Sequence, residues 1–353
     1  MTEVIAAPQE LLAVDPRTDA LWQTLAATRD GSLFISPPWI RAVCDTYGFV
    51  PQARITTDLE GQPNGGFAWV PIGDIRGDRM VSLPFSDRAE PIVPNRAAWP
   101  ALVDDAVTGS APLTIRCLEG TIPTTDTRLV RTAEAAWQGT PLDRSLTELY
   151  EALHPSTRRN IVAAERNGVK VQAFTGLAAV RVFHGLHVSL RKHKYRLLAQ
   201  PLEFFERIWQ EFSAIDGIVT VLAYYDDQPI AGAVYLAWGD TLYYKFSASL
   251  AGTLSLRPNE VLLWTALRWA VEHEYRWLDW GLSDLDQPGL IAYKRKWASL
   301  ERRIVTLRSP DRTAAPSGDP GQLLGLVTSL LTDEAVPDDI TRRAGALLYR
   351  YFA

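Results

Sequence analysis

Two groups of cationic side chains are the residues best suited to chemistry in this sequence. The members of the first are Arg191, Lys192, His193, Lys194 and Arg196. The second group, Lys294, Arg295 and Lys296, follows Tyr293 directly. Ammonium and guanidinium groups bind phosphate and carboxylate, and arginine does so in a bidentate manner. We expect both groups to bind an anionic ligand; a solvated run of charge is the alternative for each.

Arg158 and Arg159 are a third candidate for anion binding. They lie near the start of a helix that the apolar spacing predicts over 157–168. Two adjacent guanidinium groups can hold a phosphate group of a substrate. The alternative is a surface ion pair with Glu165 or a nearby aspartate, which contributes little to stability.

Metal binding and disulfide bonds are not indicated by the sequence. His184 and His187 are three residues apart on a predicted helix, but no third ligand accompanies them, so we predict no metal site. Cys44 and Cys117 stand in unrelated contexts and are predicted to be packing residues of a protein in a reducing compartment.

Composition narrows the class of protein. The chain has 353 residues, 47% of them hydrophobic and 22% charged, which is the balance of a globular protein with a sizeable core. Its net charge of -5 argues against a partner such as duplex DNA, so any phosphate contact must be local. The start of the chain lacks the pattern of a signal peptide, and no run reaches the ~18 apolar residues of a membrane span. We expect a cytoplasmic protein.

Hydrophobic periodicity predicts an α/β fold made of two similar halves. In the first half, we predict helices at 19–28, 37–48 and 97–107, and strands at 53–59, 66–75, 79–85 and 112–118. In the second half, we predict helices at 157–168, 177–192, 202–215, 261–275 and 289–300, and strands at 169–174, 218–228, 229–240, 241–249, 276–283 and 302–307. Asn259 is expected to cap the helix at 261–275, with Arg257 just outside it.

The order of the predicted elements is that of the GNAT acyltransferase fold. We predict tandem GNAT-like domains, each a mixed and mainly antiparallel sheet flanked by helices, with boundaries at 1–145 and 146–310. Residues 311–353 are predicted to be a linker and a helical tail that either packs on the body or makes a peripheral membrane contact.

Several segments, taken in order, resemble one family. They are STRRNIVAAERNGVKV, LRKHKYRLLAQPLEFF, YYKFSAS, LRPNEVLLWTALRWA, LDWGLSD and GLIAYKRKWAS. Together they resemble the FemAB-like, BioF2-like acetyltransferases, relatives of the peptidoglycan interpeptide-bridge aminoacyltransferases, over about residues 30 to 307. The long helical-hairpin arm of some tRNA-using relatives is absent from the sequence.

The resemblance implies a role for each candidate residue. Those expected to be catalytic are Lys294, Tyr244 and Asp279. Those expected to bind the acceptor substrate are Arg158, Arg159, Arg191, Lys192, His193, Lys194, Tyr293 and Arg295. Those expected to bind the acyl donor are Lys245, Ser247, Arg257 and Asn259. Lys245 and Asp279 could instead form a structural pair.

The resemblance also implies an N-acyltransferase that joins an acyl or aminoacyl group to an amine, in cell-envelope or exopolysaccharide construction. The expected donor is acyl-CoA or an aminoacyl-tRNA, with no tightly bound cofactor. The loop LAGTLSLRPNE has a single glycine and a proline near the helix start, which weakens a cradle for the pyrophosphate of CoA. Two alternatives remain: an acyl-CoA-dependent enzyme that acts on a small molecule, and a GNAT-like binding protein without catalysis.

Overall fold

The computed structural model describes residues 11–312 and 319–353. The strands are β1 (Leu11–Val14), β2 (Gln52–Thr57), β3 (Pro63–Asp74), β4 (Gly77–Val81), β5 (Leu113–Leu118), β6 (Val130–Pro141), β7 (Lys170–Phe174), β8 (Ile218–Tyr225), β9 (Gln228–Trp238), β10 (Thr241–Ser249), β11 (Trp277–Asp284) and β12 (Leu300–Arg308). The helices are α1 (Ala20–Ala26), α2 (Pro37–Tyr47), α3 (Trp99–Val107), α4 (Leu146–Ala152), α5 (Pro155–Arg166), α6 (Leu177–His193), α7 (Leu202–Ser213), α8 (Pro258–Glu272), α9 (Pro288–Lys294), α10 (Pro320–Leu331) and α11 (Asp338–Leu348).

The mixed α/β fold class predicted from the sequence is confirmed, and each predicted helix and strand corresponds to an observed one. Three elements were not predicted, namely β1, β6 and α4. Helix α4 begins with a capping box, in which Ser145 and Glu148 bond reciprocally to each other's backbone N–H. Helix α5 is followed by its C-cap residue Asn167 and by Gly168, which adopts a left-handed conformation with φ of 83°.

Contacts divide the chain into two compact units. Within the described residues, unit 1 contains 11–135, 302–312 and Ala353, and unit 2 contains 136–301 and 319–352. The domain boundaries predicted at 145 and 310 remain predictions. One expectation is corrected: β12 was predicted to complete the second half, but it pairs antiparallel with β5 of unit 1, from Ile304 opposite Leu118 to Arg308 opposite Thr114.

Unit 1 has the strand order β1-β2-β3-β4-β5-β12. Strands β2, β3 and β4 form an antiparallel meander, and β4 then pairs parallel with β5 after the helical crossover through α3. Helix α3 buries Leu102, Val103 and Ala106 against the apolar face that includes Trp69 and Ile115. Alternating burial along β5 explains how its apolar side chains face this core.

The gap between β4 and β5 is filled by the chain that follows β4. These two strands pair over only two residues, Met80 and Val81 with Leu113 and Thr114. Beyond that point the N–H of Ala89 donates to the carbonyl oxygen of Arg116 at 2.9 Å. In unit 1, therefore, residues after β4 hydrogen-bond to the edge of β5 beyond its two paired positions, so the described residues leave no open slot there.

Unit 2 has the strand order β6-β11-β10-β9-β8-β7, with β6 contributing from residue 136 onward. Strands β7 to β10 are antiparallel neighbours, and β10 pairs parallel with β11. Helix α8 covers one face through Leu262, Leu263 and Leu267, which pack in a core with Val219 and Trp280. Helices α6 and α7 pack on β9, β10 and β8.

The predicted helical tail consists of α10 and α11, which belong to unit 2. Lys192 at the end of α6 anchors it: the ammonium group donates to the carbonyl oxygen of Val336 and to Oδ1 of Asp338, both at 2.6 Å. Gly345 lies against the backbone of Ala199, where any side chain would meet the carbonyl oxygen. The peripheral membrane contact considered for the tail remains a prediction. Across 11–312 and 319–353, no helix has the length and apolar character needed to cross a bilayer.

Candidate active site

Strands β10 and β11 pair over three residues and then separate. Thr241–Tyr243 lies opposite Trp277–Asp279, while β10 continues to Ser249 and β11 to Asp284. At the point of separation, a bulge at Lys245 shifts the register between β10 and β9. Because a bulge bends its strand and increases the local twist, it turns the rest of β10 away from β11. The separation opens a slot in the sheet of unit 2.

Side chains provide partners for backbone groups of β11 at this slot. Gly281 has φ of 72°, a conformation that favours glycine, and its N–H donates to Oδ1 of buried Asp279 at 2.7 Å. The buried ammonium group of Lys294 donates to the carbonyl oxygens of Leu282 at 3.0 Å and Gly281 at 3.4 Å. Since unpaired buried backbone groups are costly, these bonds favour the separated strands.

A cleft of about 400 Å³ lies along the part of β10 that has separated from β11. Its walls come from the end of α6 and the turn after it, the second half of β10, the start of α8, and α9. The lining residues are His187, Leu190, Arg191, Lys194, Tyr195, Gln200, Gly232, Tyr244, Lys245, Phe246, Ser247, Ala248, Ser249, Asn259, Leu262, Leu263, Leu290 and Tyr293. The structure thus brings together seven predicted site residues, namely Arg191, Lys194, Tyr244, Lys245, Ser247, Asn259 and Tyr293.

The cleft is cationic. Arg191 and Lys194 line one wall and Lys245 lines another, and among the described lining residues there is no carboxylate side chain. The Nε of Arg191 donates to the carbonyl oxygen of Leu198 at 3.0 Å, which fixes the guanidinium group in place. Three cations without a lining carboxylate favour a negatively charged ligand.

Two tyrosine hydroxyls can act as neutral hydrogen-bond donors in the cleft. Burial raises the pKa of Tyr244 to about 12. Burial also raises the pKa of Tyr293 well above the usual value, and the charge of Glu260 adds to the shift. The Tyr293 hydroxyl makes no hydrogen bond within the described part of the chain. Both phenols are protonated near neutral pH, so either can donate a proton or a hydrogen bond to a developing negative charge.

An aromatic group supports the α6 side of the cleft. The ring of Phe246 lies 5.0 Å from Phe205 and 6.2 Å from His187. The Nε2 of His187 lies 2.7 Å from Oε1 of Gln200, and because an amide oxygen only accepts, the imidazole donates through Nε2. Burial lowers the pKa of His187 to about 3, so the ring is neutral. Among residues 11–312 and 319–353, no cluster of His, Cys, Asp and Glu could hold a metal ion.

The start of α8 differs from the prediction. Arg257, not Asn259, is the N-cap residue, and Arg257 adopts a left-handed conformation with φ of 61°. The prediction failed because Pro258 takes the first helical position, where its missing N–H costs nothing, so Asn259 lies inside the first turn. The carboxylate of Glu260 also lies in this turn and accepts from Nδ2 of Asn160 at 2.9 Å. A missing N–H and a carboxylate both weaken binding of a diphosphate at this helix terminus.

Other members of the basic run point away from the cleft. Lys192 is 1% exposed and pairs with Asp338, and His193 Nε2 lies 3.7 Å from the same carboxylate. Arg196 pairs with Glu334 at 3.0 Å. The alternation follows from the helix, because residues one apart at the end of α6 lie on different faces.

The remaining predicted site residues also lie outside the cleft lining. Arg158 donates to the carbonyl oxygen of Glu151 at 2.8 Å, and Arg159 is exposed on α5. Arg295 forms a bidentate pair with Glu301, with both N–O distances 2.7 Å. Arg257 is exposed at the start of α8. Lys294 and Asp279 bond to β11, beside the slot.

Several lining residues were not predicted as site residues, including His187, Gln200 and Leu290. Leu190 and Leu290 carry no chemical signal in the sequence, because apolar helix residues are normally assigned to a core. His187 and Gln200 are polar residues beside the basic run, and their proximity to it was the only available signal.

A family model for the acetyltransferase (GNAT) domain matches residues 127–295. This segment contains the whole cleft and the separated strands. Residues 127–295 are therefore a GNAT acyltransferase domain. The resemblance stated above is confirmed, and with it the assignment of the protein as an acyltransferase. A search of curated proteins gave no significant match.

Solved structures support the tandem arrangement of this GNAT protein. FemX is 14% identical, with 90% of this chain and 100% of FemX covered and a TM-score of 0.63. The C-terminal domain of a putative lysylphosphatidylglycerol synthetase from Agrobacterium fabrum is 12% identical, with 88% and 95% covered and a TM-score of 0.52. A tandem GNAT protein from the clavulanic acid biosynthesis pathway is 12% identical, with 87% and 100% covered and a TM-score of 0.51. At these identities the likeness shows the fold, and it confirms the predicted tandem GNAT-like class.

Proposed function

We propose that the cleft of unit 2 transfers an acyl or aminoacyl group to the amine of an anionic acceptor used in building the cell envelope or an exopolysaccharide. The observation that carries this proposal is the separation of β10 and β11 beyond Tyr243, which opens a cationic cleft beside two neutral phenols. The similarity in fold to FemX and to a lysylphosphatidylglycerol synthetase domain supports an envelope acceptor. The reaction would take place in the cytoplasm, where both candidate donors are made.

The proposed reaction needs one acceptor amine and one activated acyl group. The lone pair of the neutral amine attacks the carbonyl carbon, so a C–N bond forms as the C–S bond of a thioester or the C–O bond of an aminoacyl ester breaks. The amine loses a proton, and the departing thiolate or alkoxide gains one. We assign Tyr293 as the residue that donates a proton or hydrogen bond to the negative charge that develops during transfer. Tyr244 is a second phenol in the same cleft.

Two of the three cations of the cleft, Arg191 and Lys194, are assigned to the acceptor. Arg191 and Lys194 lie at the end of α6, on a different wall from Tyr293 of α9. A phosphate or carboxylate group held there would fix the acceptor while its amine reaches the slot, which lowers the entropic cost of the encounter. Lys245, Ser247 and Asn259 line the part of the cleft between β10 and α8, and we assign them to the donor.

Lys294 and Asp279 are assigned as positioning residues. Lys294 donates to two carbonyl oxygens of β11, and Asp279 accepts from the N–H of Gly281, so both act on the strand that forms one side of the slot. This assignment replaces the direct role in transition-state stabilisation that the resemblance implied for Lys294.

A second candidate is an acyl-CoA-dependent N-acyltransferase that acts on a small molecule. The fold similarity to a tandem GNAT protein of clavulanic acid biosynthesis favours it. The start of α8 opposes it, because Pro258 supplies no N–H and Glu260 places a carboxylate in the first turn. Only the first candidate can use an aminoacyl-tRNA, so the donor that stabilises the protein bears on the choice between the two.

The test is thermal unfolding of the full chain with CoA and, separately, with an aminoacyl-tRNA. A ligand present at 100 times its Kd stabilises the folded state by about 2.7 kcal/mol, so the true donor raises the unfolding temperature measurably. Stabilisation by aminoacyl-tRNA alone supports the first candidate's aminoacyl form, and stabilisation by CoA alone supports an acyl-CoA donor. Amide formation should then be measured with that donor and an amine-bearing nucleotide-linked muropeptide. Loss of product in Tyr293→Phe, with the fold retained, is the expected result; unchanged turnover would reject the assigned cleft.

A further inference from the structure

Unit 2 contains a second cavity, of about 230 Å³, which the acyl-transfer proposal does not use. Its walls are α4 with the residues on either side of it, Leu267 of α8, and the segment that follows α9. Its lining includes half-buried Arg144 and Lys296 and exposed His154, and no carboxylate side chain among the described residues. None of these residues lines the acyl-transfer cleft.

Arg144 and Lys296 have no counter-ion in the cavity. Both are half-buried, and neither side chain makes a hydrogen bond or ion pair to another described residue. Arg295 also lines the cavity, but Glu301 pairs with it at 2.7 Å. The carboxylate of Glu148 is exposed and hydrogen-bonds Ser145; these bonds, and to a smaller extent the charge of Arg144, lower its pKa.

His154 adds a third donor. Its Nδ1 accepts the backbone N–H of Ser156 at 3.2 Å, so the neutral ring carries its proton on Nε2. The cavity lining holds these cations without a carboxylate, so an anion bound there would balance their charge. A guanidinium fork, an ammonium group and an imidazole N–H together match the oxygens and the double negative charge of a phosphoryl group.

We infer that this cavity is a binding site for a phosphoryl group, supplied by free phosphate or by a phosphate monoester. The site adjoins the acyl-transfer cleft without being part of it. Leu263 lines the cleft and Leu267 lines the cavity, one helical turn of about 5.4 Å further along α8. Tyr293 and Trp297 are related in the same way across the end of α9. The inference does not depend on the acyl-transfer reaction.

Calorimetric titration of the full chain with inorganic phosphate, and separately with glycerol phosphate, tests the site at constant ionic strength set by sodium chloride. Saturable binding of one or both is expected. The double variant Arg144→Gln, Lys296→Gln should weaken that binding at least tenfold, which corresponds to about 1.4 kcal/mol. Without ligand this variant should unfold at nearly the same temperature as the parent protein, because neither side chain loses a hydrogen bond or ion pair, and the interaction of Arg144 with exposed Glu148 contributes little. Tighter binding of glycerol phosphate would indicate an organic monoester, and tighter binding of inorganic phosphate would indicate the free ion.

The matched control is the double variant Arg166→Gln, Lys170→Gln, which removes the same charge from exposed positions outside both cavities. Its phosphate affinity should equal that of the parent. Lys194→Gln separates this site from the cationic cleft and should leave a phosphate site intact. Absence of saturable binding overturns the inference, as does binding that Lys194→Gln abolishes while the Arg144, Lys296 variant retains it.

Discussion

The ammonium nitrogen of Lys294 lies 3.0 Å from the carbonyl oxygen of Leu282, on the part of β11 that has separated from β10. This carbonyl belongs to the strand edge at the slot, and a side chain of α9 supplies its partner. Lys294 was expected from the sequence to be catalytic. In the structure its ammonium group instead supports the separated strand β11. In unit 1 the edge of β5 is bonded instead by the segment that follows β4, because the N–H of Ala89 donates to the carbonyl oxygen of Arg116.

Lys294→Met should destabilise unit 2 as well as lower activity. The substitution keeps an unbranched side chain of similar length, but it removes the donor to Gly281 and Leu282. Leaving buried carbonyl groups without a partner costs roughly 1–3 kcal/mol in the free energy of unfolding. Urea denaturation followed by circular dichroism measures this loss. Lys296→Met, two residues away on a half-buried side chain without a partner among the described residues, should cost less than about 0.5 kcal/mol. Equal stability of Lys294→Met and the parent would contradict the supporting role.

Tyr293→Phe should reduce kcat about a hundredfold or more while leaving the fold intact. The change removes only a hydroxyl that has no hydrogen-bond partner in the described part of the chain, so nothing in the folded state is lost. A positioned proton donor contributes roughly 10² to 10⁴ in rate. Steady-state kinetics and thermal unfolding, measured on the same preparation, separate the two effects. Tyr275→Phe, a phenol outside the cleft that stacks on Trp269, is the control and should keep full activity.

Lys194→Gln and Arg196→Gln should differ, although the two residues lie in the same basic run. Lys194 lines the cleft, whereas Arg196 pairs with Glu334 and donates to the carbonyl oxygen of Thr332. Losing a charge-assisted contact to an anionic acceptor costs about 1.4 kcal/mol or more, so Lys194→Gln should raise KM for the acceptor about tenfold. Arg196→Gln should leave KM unchanged. Initial rates at varied acceptor concentration decide the matter, and equal effects would mean that the whole run acts only through its net charge.

Most helices and strands could be predicted from local sequence patterns. The elements and pairings that could not be predicted have physical explanations. Strands β8, β9 and β10 are apolar runs separated by turn residues, and they correspond to the strands predicted at 218–228, 229–240 and 241–249. Strand β6 reads VRTAEAAWQGTP, with alanines, charges and a glycine that have low β propensity, so pairing with neighbouring strands stabilises it. The sequence also could not indicate that β12 pairs with β5, because this contact joins residues nearly 190 positions apart, as with Ile304 and Leu118.

The residue types of the candidate site could be predicted from the sequence, but not which of the side chains line the cleft. Arg191 and Lys194 line the cleft, while Lys192 between them is buried against Asp338. The sequence does not distinguish the three. Only the packing of α11, which carries Asp338, determines that Lys192 is the one buried away from the cleft. Arg295 likewise resembled a substrate contact, although the pairing of Glu301 with it depends on a turn after α9 that no local pattern specifies.

Asp338→Asn should destabilise the packing of the helical tail more than Lys192→Met does. Lys192 is 1% exposed, so replacing its carboxylate partner by a neutral amide leaves a buried ammonium group without its counter-charge, even where the amide oxygen still accepts its hydrogen bond. We expect a loss of about 1–3 kcal/mol. In Lys192→Met the exposed Asp338 carboxylate is solvated again, so the loss should be about 1 kcal/mol. Asp339→Asn, in the same first turn of α11, controls for the helix dipole.

The ion pair also predicts a pH dependence. Hydrogen bonding and charge from Lys192 lower the pKa of Asp338 below its usual 3.8. The contribution of the Lys192–Asp338 ion pair to stability is therefore fully present above pH 3.8, and it is lost as the pH falls through the lowered pKa of Asp338. Denaturation at pH 7 and at pH 2.5 should show the difference between Asp338→Asn and the parent shrinking in acid. A difference that is constant with pH would contradict the assigned pair.

Stability should also fall as the pH drops below about 6.5, because His187 stays neutral in the folded state. Burial lowers its pKa from 6.5 to about 3, so between these values the unfolded chain binds more protons than the folded one. Each such group reduces the free energy of unfolding by at most about 1.4 kcal/mol per pH unit. In His187→Gln, the new amide can still donate to Gln200, and the dependence should weaken between pH 6 and pH 4. His273→Gln, at an exposed position, should retain the dependence of the parent. Urea denaturation at half-unit pH steps gives the three slopes, and identical slopes for His187→Gln and the parent would show that another group controls acid unfolding.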